Sequence, residues 1–201
     1  MRQRAPSASE QDYWAQKLRA RTWSTASFIA QIATTNEIDA RRYSVIRLYR
    51  AFFLRNPDHA GLAYWLEQRR TGMAIADIAA RFADSSEFTN RYGSLSDRAF
   101  VDLVYRNVLG RDPDSAGRAY WVDSLGRGTS RGQVMATFSE SSEFKTTSRP
   151  DAQVVGMEDA MLQATIDADT FRYLSTGLRQ GQTTLTKMAQ YFYDRPAYRA
   201  R

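Results

Sequence analysis

Apolar residues recur along this chain at three- and four-residue spacing, and no segment alternates apolar with polar residues long enough to argue for a sheet. Ser9 is placed to cap a first helix, with Asp12 in its first turn and Tyr13, Trp14 and Leu18 at helical spacing. Ser24 precedes a second stripe of Phe28, Ile29 and Ile32. Tyr43, Ile46, Leu48, Tyr49, Phe52 and Phe53 build a wide apolar face on a third helix. The stretch LRNPDHAG, residues 54–61, should end it, because a residue before proline is pushed out of the helical region. The helix after Asp58 carries Leu62, Trp65 and Leu66 and should stop near Thr71 and Gly72, since glycine is the usual residue just past a helix end. Ile75, Ile78 and Phe82 follow, and then DSSEF at 84–88.

The same order then returns: Phe100, Leu103, Val104 and Val108, next GRDPDSAGRAYW at 110–121, then GRGTSRGQVMATF, then ESSEF at 140–144. Trp65 and Trp121 lie 56 positions apart, as do Tyr49 and Tyr105, Phe82 and Phe138, and Phe88 and Phe144. Four landmarks in one register define a repeat. Weaker copies flank it: Tyr13-Trp14 followed by TTNEI ending at Ile38, and Tyr173 followed by Phe192 and DRPAY ending at Tyr198. Terminal repeats are expected to be atypical because each has a neighbour on one side only. The expected fold is therefore all-α, with tandem helical repeats of about 56 residues packed into one compact multi-helix domain. Its expected parts are a basic half-repeat (1–38), two full repeats (39–92 and 93–148) and a degenerate last repeat (149–201).

Together, YRAFFLRNPDHAGLAYW with FADSSEF, and VYRNVLGRDPDSAGRAYW with FSESSEF, resemble a bacterial family of helical-repeat domains of unknown function that is itself similar to phycobilisome linker domains. The resemblance is strong over residues 43–144 and weak at both ends. It implies an all-helical module of a kind found in secreted calcium-binding repeat proteins, surface-layer proteins and proteins tied to polysaccharide. It implies no catalytic residues.

Composition narrows this further. With 201 residues, 43% hydrophobic and 25% charged, the chain can bury a core as one compact domain or two small ones. No stretch approaches the roughly 18 apolar residues of a membrane span, and the opening MRQRAPSASEQDYW contains no apolar run resembling a secretory signal. The expected location is cytoplasmic if the chain is complete as given, and extracellular or cell-surface if it is part of a longer secreted protein. Cysteine is absent, which excludes disulfides and thiolate metal sites. Residues 1–55 hold ten Lys or Arg against four acids, the whole net charge of +6, while the remainder is balanced. A basic end suits phosphate, an acidic glycan or an acidic protein patch, or else simply a solvated helix face.

Candidate chemistry is sparse. Asp112 and Asp114, followed by Gly117, match the start of a calcium loop, but the fifth ligand position falls on Ala116 and the closing glutamate on Asp123. Helix capping explains both repeats, with Asn56 and Asp58 in the first copy. The Ser-Ser-Glu-Phe runs lack a base, since the only histidine is His59, and they read as capped short helices anchored by phenylalanine. GRGTSRG at 126–132 lacks the Lys-Ser/Thr of a phosphate loop, whereas Ser130 with Gln133 has capping-box spacing. The tryptophans are expected in the core, and Tyr64 and Tyr120, about 100° round the helix, nearer its boundary. These features predict a non-enzymatic interaction module without cofactor, with a protein or polysaccharide partner. The alternative is binding of nucleic acid or another anionic polymer through the basic first third. Candidate binding residues are Tyr64, Tyr120, Arg41, Arg42 and Arg50. Nucleic acid is the less favoured partner, because the arginines are not interleaved with a reader motif.

Overall fold

A computed structural model describes residues 7–200, and every regular element among them is helical. In order these are α1 (Ala8–Arg19), α2 (Thr25–Ala33), α3 (Asn36–Ile38), α4 (Ser44–Phe53), α5 (His59–Arg70), α6 (Ile75–Ala83) and α7 (Ser86–Tyr92). There follow α8 (Asp97–Val104), α9 (Ser115–Gly126), α10 (Arg131–Ser139), α11 (Ser142–Leu162), α12 (Ala168–Arg179), α13 (Leu185–Tyr193) and α14 (Pro196–Arg199). A π-helical turn, Asp39–Tyr43, leads into α4, and another, Tyr105–Leu109, continues α8. No helix among the described residues is long and apolar enough to cross a membrane.

The helix starts are written in short polar side chains. Ser24, Asp58, Ser85, Ser96, Asp114, Ser130, Asp167 and Thr184 each stand in extended backbone and accept a hydrogen bond from the amide three residues on. Such a bond satisfies one of the amides left free in a helix's first turn. For α1 the cap is Ser7 rather than Ser9, because only Ser7 has a glutamate, Glu10, three residues on to return a bond to the cap amide. The 56-residue register extends to element ends: α5 and α9, and likewise α6 and α10, begin and end at positions 56 apart.

The helices gather into two compact units, one of residues 44–149 and one assembled from both chain ends, 1–43 and 150–201. In the first, α6 packs on α10, and α4 contacts both. Phe82 lies at the centre of an aromatic cluster with Tyr49, Phe52 and Phe53, at ring separations of 4.9, 5.6 and 5.0 Å. Phe88 of α7 closes the cluster 5.6 Å from Phe52, which is why the Ser-Ser-Glu-Phe run ends on an aromatic. Each such ring stabilises the fold by about 1.5–3 kcal/mol through burial. Arg47 is buried in this unit too, donating two 2.8 Å bonds to Glu140.

In the second unit α2 packs on α13, and the core is built of Ile29, Val154, Met157, Leu174, Met188 and Phe192 with small alanines between. Tyr43 donates to the Ala33 carbonyl at 2.8 Å, and its ring passes over Gly156, where a Cβ would meet Cε1 at 2.7 Å. Arg42 pairs with Asp159, and Arg179 with Asp151.

Candidate functional site

The site begins at the motif the two full repeats share. Asp58 Oδ1 accepts from Gly61 N at 2.7 Å, and Asp114 Oδ1 from Gly117 N at the same distance. Glycine is required there by a second contact: a Cβ on Gly61 would sit 2.6 Å from the Tyr49 hydroxyl, and one on Gly117 2.5 Å from that of Tyr105. The phenol therefore lies against the first turn of the next helix. Burial pushes the Tyr49 hydroxyl above its usual pKa, with the Trp65 side chain beside it acting the other way.

The remaining polar letters of the motif are also consumed by folding. Arg55 makes a fork of two bonds, 2.7 and 2.8 Å, to Glu87 and lies 5.1 Å over the Tyr49 ring. Its partner holds Arg55 above its usual pKa, and Arg55 in turn lowers Glu87. Arg111, 56 positions on, lies over Tyr105 at 5.6 Å and 3.8 Å from Glu143. Arg50 donates to Asn56 at 2.8 Å, and Arg106 to Asp112 at 2.6 Å. The candidate calcium oxygens thus receive an arginine, at Asp112, and a backbone amide, at Asp114. No group of three metal-binding side chains occurs among the described residues. Ser85 and Ser141 accept from Phe88 N and Phe144 N at 3.2 Å, the capping role expected of those runs.

Trp65 and Trp121 are half-buried, not core residues. Leu62 and Leu66 take the innermost positions of α5, so Trp65 lies along the rim, 5.3 Å from Phe82; Trp121 lies 5.2 Å from Phe138 in the same way. Tyr64 and Tyr120 point outward with 52% and 59% of their surface exposed, each meeting its tryptophan edge-on. Helix boundaries put two further tyrosines at the equivalent position of their own helices. Tyr13 sits in α1 as Tyr64 does in α5, five residues past the helix's first, and Tyr173 likewise in α12. They are 50% and 74% exposed. Sequence reading missed them as site residues, although the Tyr13-Trp14 pair was the available signal.

The basic candidates fare differently. Arg42 is tied to Asp159, Arg50 to Asn56, Arg55 to Glu87, and Arg47 is inside the core. Arg41 lies on the π-helical turn, partly exposed and engaged with neighbours. Arg2 and Arg4 of the basic count lie outside the described residues. Three of the basic residues, Arg42, Arg47 and Arg55, are thus taken up in ion pairs, whereas Arg19 and Arg21 at the end of α1 remain exposed.

A domain of unknown function, DUF4214, matches residues 26–88 and again 79–148. No curated protein and no solved structure matches the chain. With two tandem matches over more than half of its length, on the motifs whose geometry is given above, the chain belongs to the DUF4214 family.

Proposed function

We propose that the chain is a non-enzymatic interaction module that binds a protein or polysaccharide partner through its repeated exposed tyrosines. What supports this reading is a contrast within the motif. Asp, Gly, Arg, Glu, Trp and Phe are each occupied in making the repeat, whereas the tyrosine is left to solvent in every copy. Six large hydrophobic side chains are exposed among the described residues, and Tyr13, Tyr64, Tyr120 and Tyr173 are four of them, all at one helix position. Amphipathic rings of this kind supply large, rigid contact area at low entropic cost, which makes them frequent binding hot spots.

Binding of an anionic polymer through the basic first third is the less favoured reading, because Arg42, Arg47 and Arg55 already pair with acids and Arg50 with an amide. The test is an array of glycans and candidate proteins probed with and without calcium, using the wild type and Tyr64→Ala/Tyr120→Ala. The expected outcome is a ligand whose signal falls with the double variant and is indifferent to calcium. A ligand retained in full by the double variant would refute the tyrosine surface.

A further inference from the structure

The two units are each built on a docking of equivalent helices, α6 on α10 in one and α2 on α13 in the other. Their caps fix the correspondence: α2 follows Ser24 as α6 follows Ala74, and α13 follows Thr184 as α10 follows Ser130. Two residues past the cap, α10 carries Gly132 and α13 carries Thr186. At Gly132 the helices touch so closely that a Cβ would stand 2.4 Å from the Ala80 backbone nitrogen. Thr186 brings a branched side chain to the same position, and there a cavity of about 390 Å³ opens between α2, α13 and the connection after α1. That volume lies within the roughly 300–1,000 Å³ of small-molecule sites.

The lining differs from the sister docking in chemistry as well as in space. Where α6 and its cap carry Asp77, Arg81 and Asp84, and α10 starts with Arg131, the cavity has Ser27, Gln31, Thr34 and Leu185. Four charges are thus replaced by three neutral hydrogen-bonding groups and an apolar one, and among the described residues no charged one lines the cavity. Trp23 adds an aromatic wall, held edge-on by Trp14 at 5.2 Å. The Thr34 hydroxyl donates to the Gln31 carbonyl at 2.8 Å, so it faces a ligand as an acceptor. The side chains of Gln31 and Thr186 have no hydrogen-bond partner among the described residues and can both donate and accept.

We infer that this cavity is a binding site for a neutral sugar residue. A pyranose presents an apolar face, which an indole covers, and a ring of uncharged hydroxyls, which hydroxyl and amide side chains match without leaving a charge unpaired. An anionic sugar or a nucleotide would find no cation to meet it among the described lining residues. The site deepens the polysaccharide branch of the function proposed above and rests on that branch.

Titration calorimetry of the full chain with neutral glucose, mannose and galactose hexasaccharides, and with polygalacturonate as an anionic control, tests it. Two variants restore the charges of the sister docking: Ser27→Asp, which also suits the start of a helix, and Gln31→Arg. Trp23→Leu removes the wall. At least one neutral hexasaccharide is expected to bind, to shift the amide resonances of α2 and α13, and to weaken about tenfold or more in each variant while melting temperature is kept. Polygalacturonate should not compete. Failure of every neutral hexasaccharide, or binding indifferent to all three variants, would overturn the site. Binding that is instead lost in Tyr64→Ala/Tyr120→Ala alone would overturn the cavity while leaving the tyrosine surface in place.

Discussion

Single residues in this fold carry definite geometric duties. Gly61 and Gly117 cede their Cβ positions to a tyrosine hydroxyl at 2.6 and 2.5 Å, so alanine at either should destabilise by about 1–3 kcal/mol in urea unfolding. Gly126, at the end of α9 with nothing within 4 Å of a Cβ, is the internal control: alanine there should be neutral or stabilising by up to about 1 kcal/mol. Asp58→Ala and Asp114→Ala should each cost about 1 kcal/mol, the worth of a cap, and calcium should not change the melting temperature of the wild type. Glu158 has a different duty. It is buried with one carboxylate oxygen unpartnered, and burial raises its pKa to about 7, with Asp167 and Asp159 pushing up and Arg195 pulling down. A raised folded-state pKa gives stability that is complete below the unfolded value, near 4.5, and is lost as pH rises through about 7. The loss should approach about 3 kcal/mol by pH 8. Glu158→Gln should abolish that decline between pH 5 and 8 and be more stable than wild type at the upper end, as read by chemical denaturation across pH.

At the scale of elements, charge pairs of different burial tie the helices together. Glu140, the residue that ends α10, holds buried Arg47 of α4, and Glu140→Ala should cost about 3–5 kcal/mol by stranding that guanidinium. Glu87→Ala frees an Arg55 that is 40% exposed and should cost about 1 kcal/mol or less, although the two forks look alike. The starts of α5, α9 and α10 and the end of α5 were legible from the sequence because Asp58, Asp114, Ser130, Pro57, Pro113 and Gly72 mark them locally. The aromatic landmarks were legible for the same reason, as a period. What was hidden depends on distance in space. Arg47 sits among Ile46, Leu48 and Tyr49 and reads as one more positive charge until Glu140, 93 residues away, comes to it. The tryptophans were placed too deep because helical spacing says which residues share a face, not which of them is crowded to the rim by Leu62 and Leu66. Likewise the cavity beside Thr186 depends on a comparison between two helix dockings that only the fold brings into register.

For the whole molecule, the chain makes two units that each rest on a docking of two nine-residue helices, α6 on α10 within residues 44–149 and α2 on α13 in the unit built from both chain ends. The net charge of +6 belongs to the sequence; Arg42, Arg47 and Arg55 pair with acids within the fold, and recognition through neutral tyrosines should depend only weakly on ionic strength. Stacking and hydrogen bonding by neutral side chains should dominate instead. The most direct measurement is a salt series of binding to neutral polysaccharide, anionic polysaccharide and random duplex DNA, for wild type and Tyr64→Ala/Tyr120→Ala, with the polymer recovered afterwards and its length compared. A partner bound with a shallow salt slope, weakened about 30-fold by the double variant and recovered at unchanged length is the predicted result. Binding to DNA that falls steeply with salt and ignores the tyrosines, or a polymer recovered shortened, would contradict it.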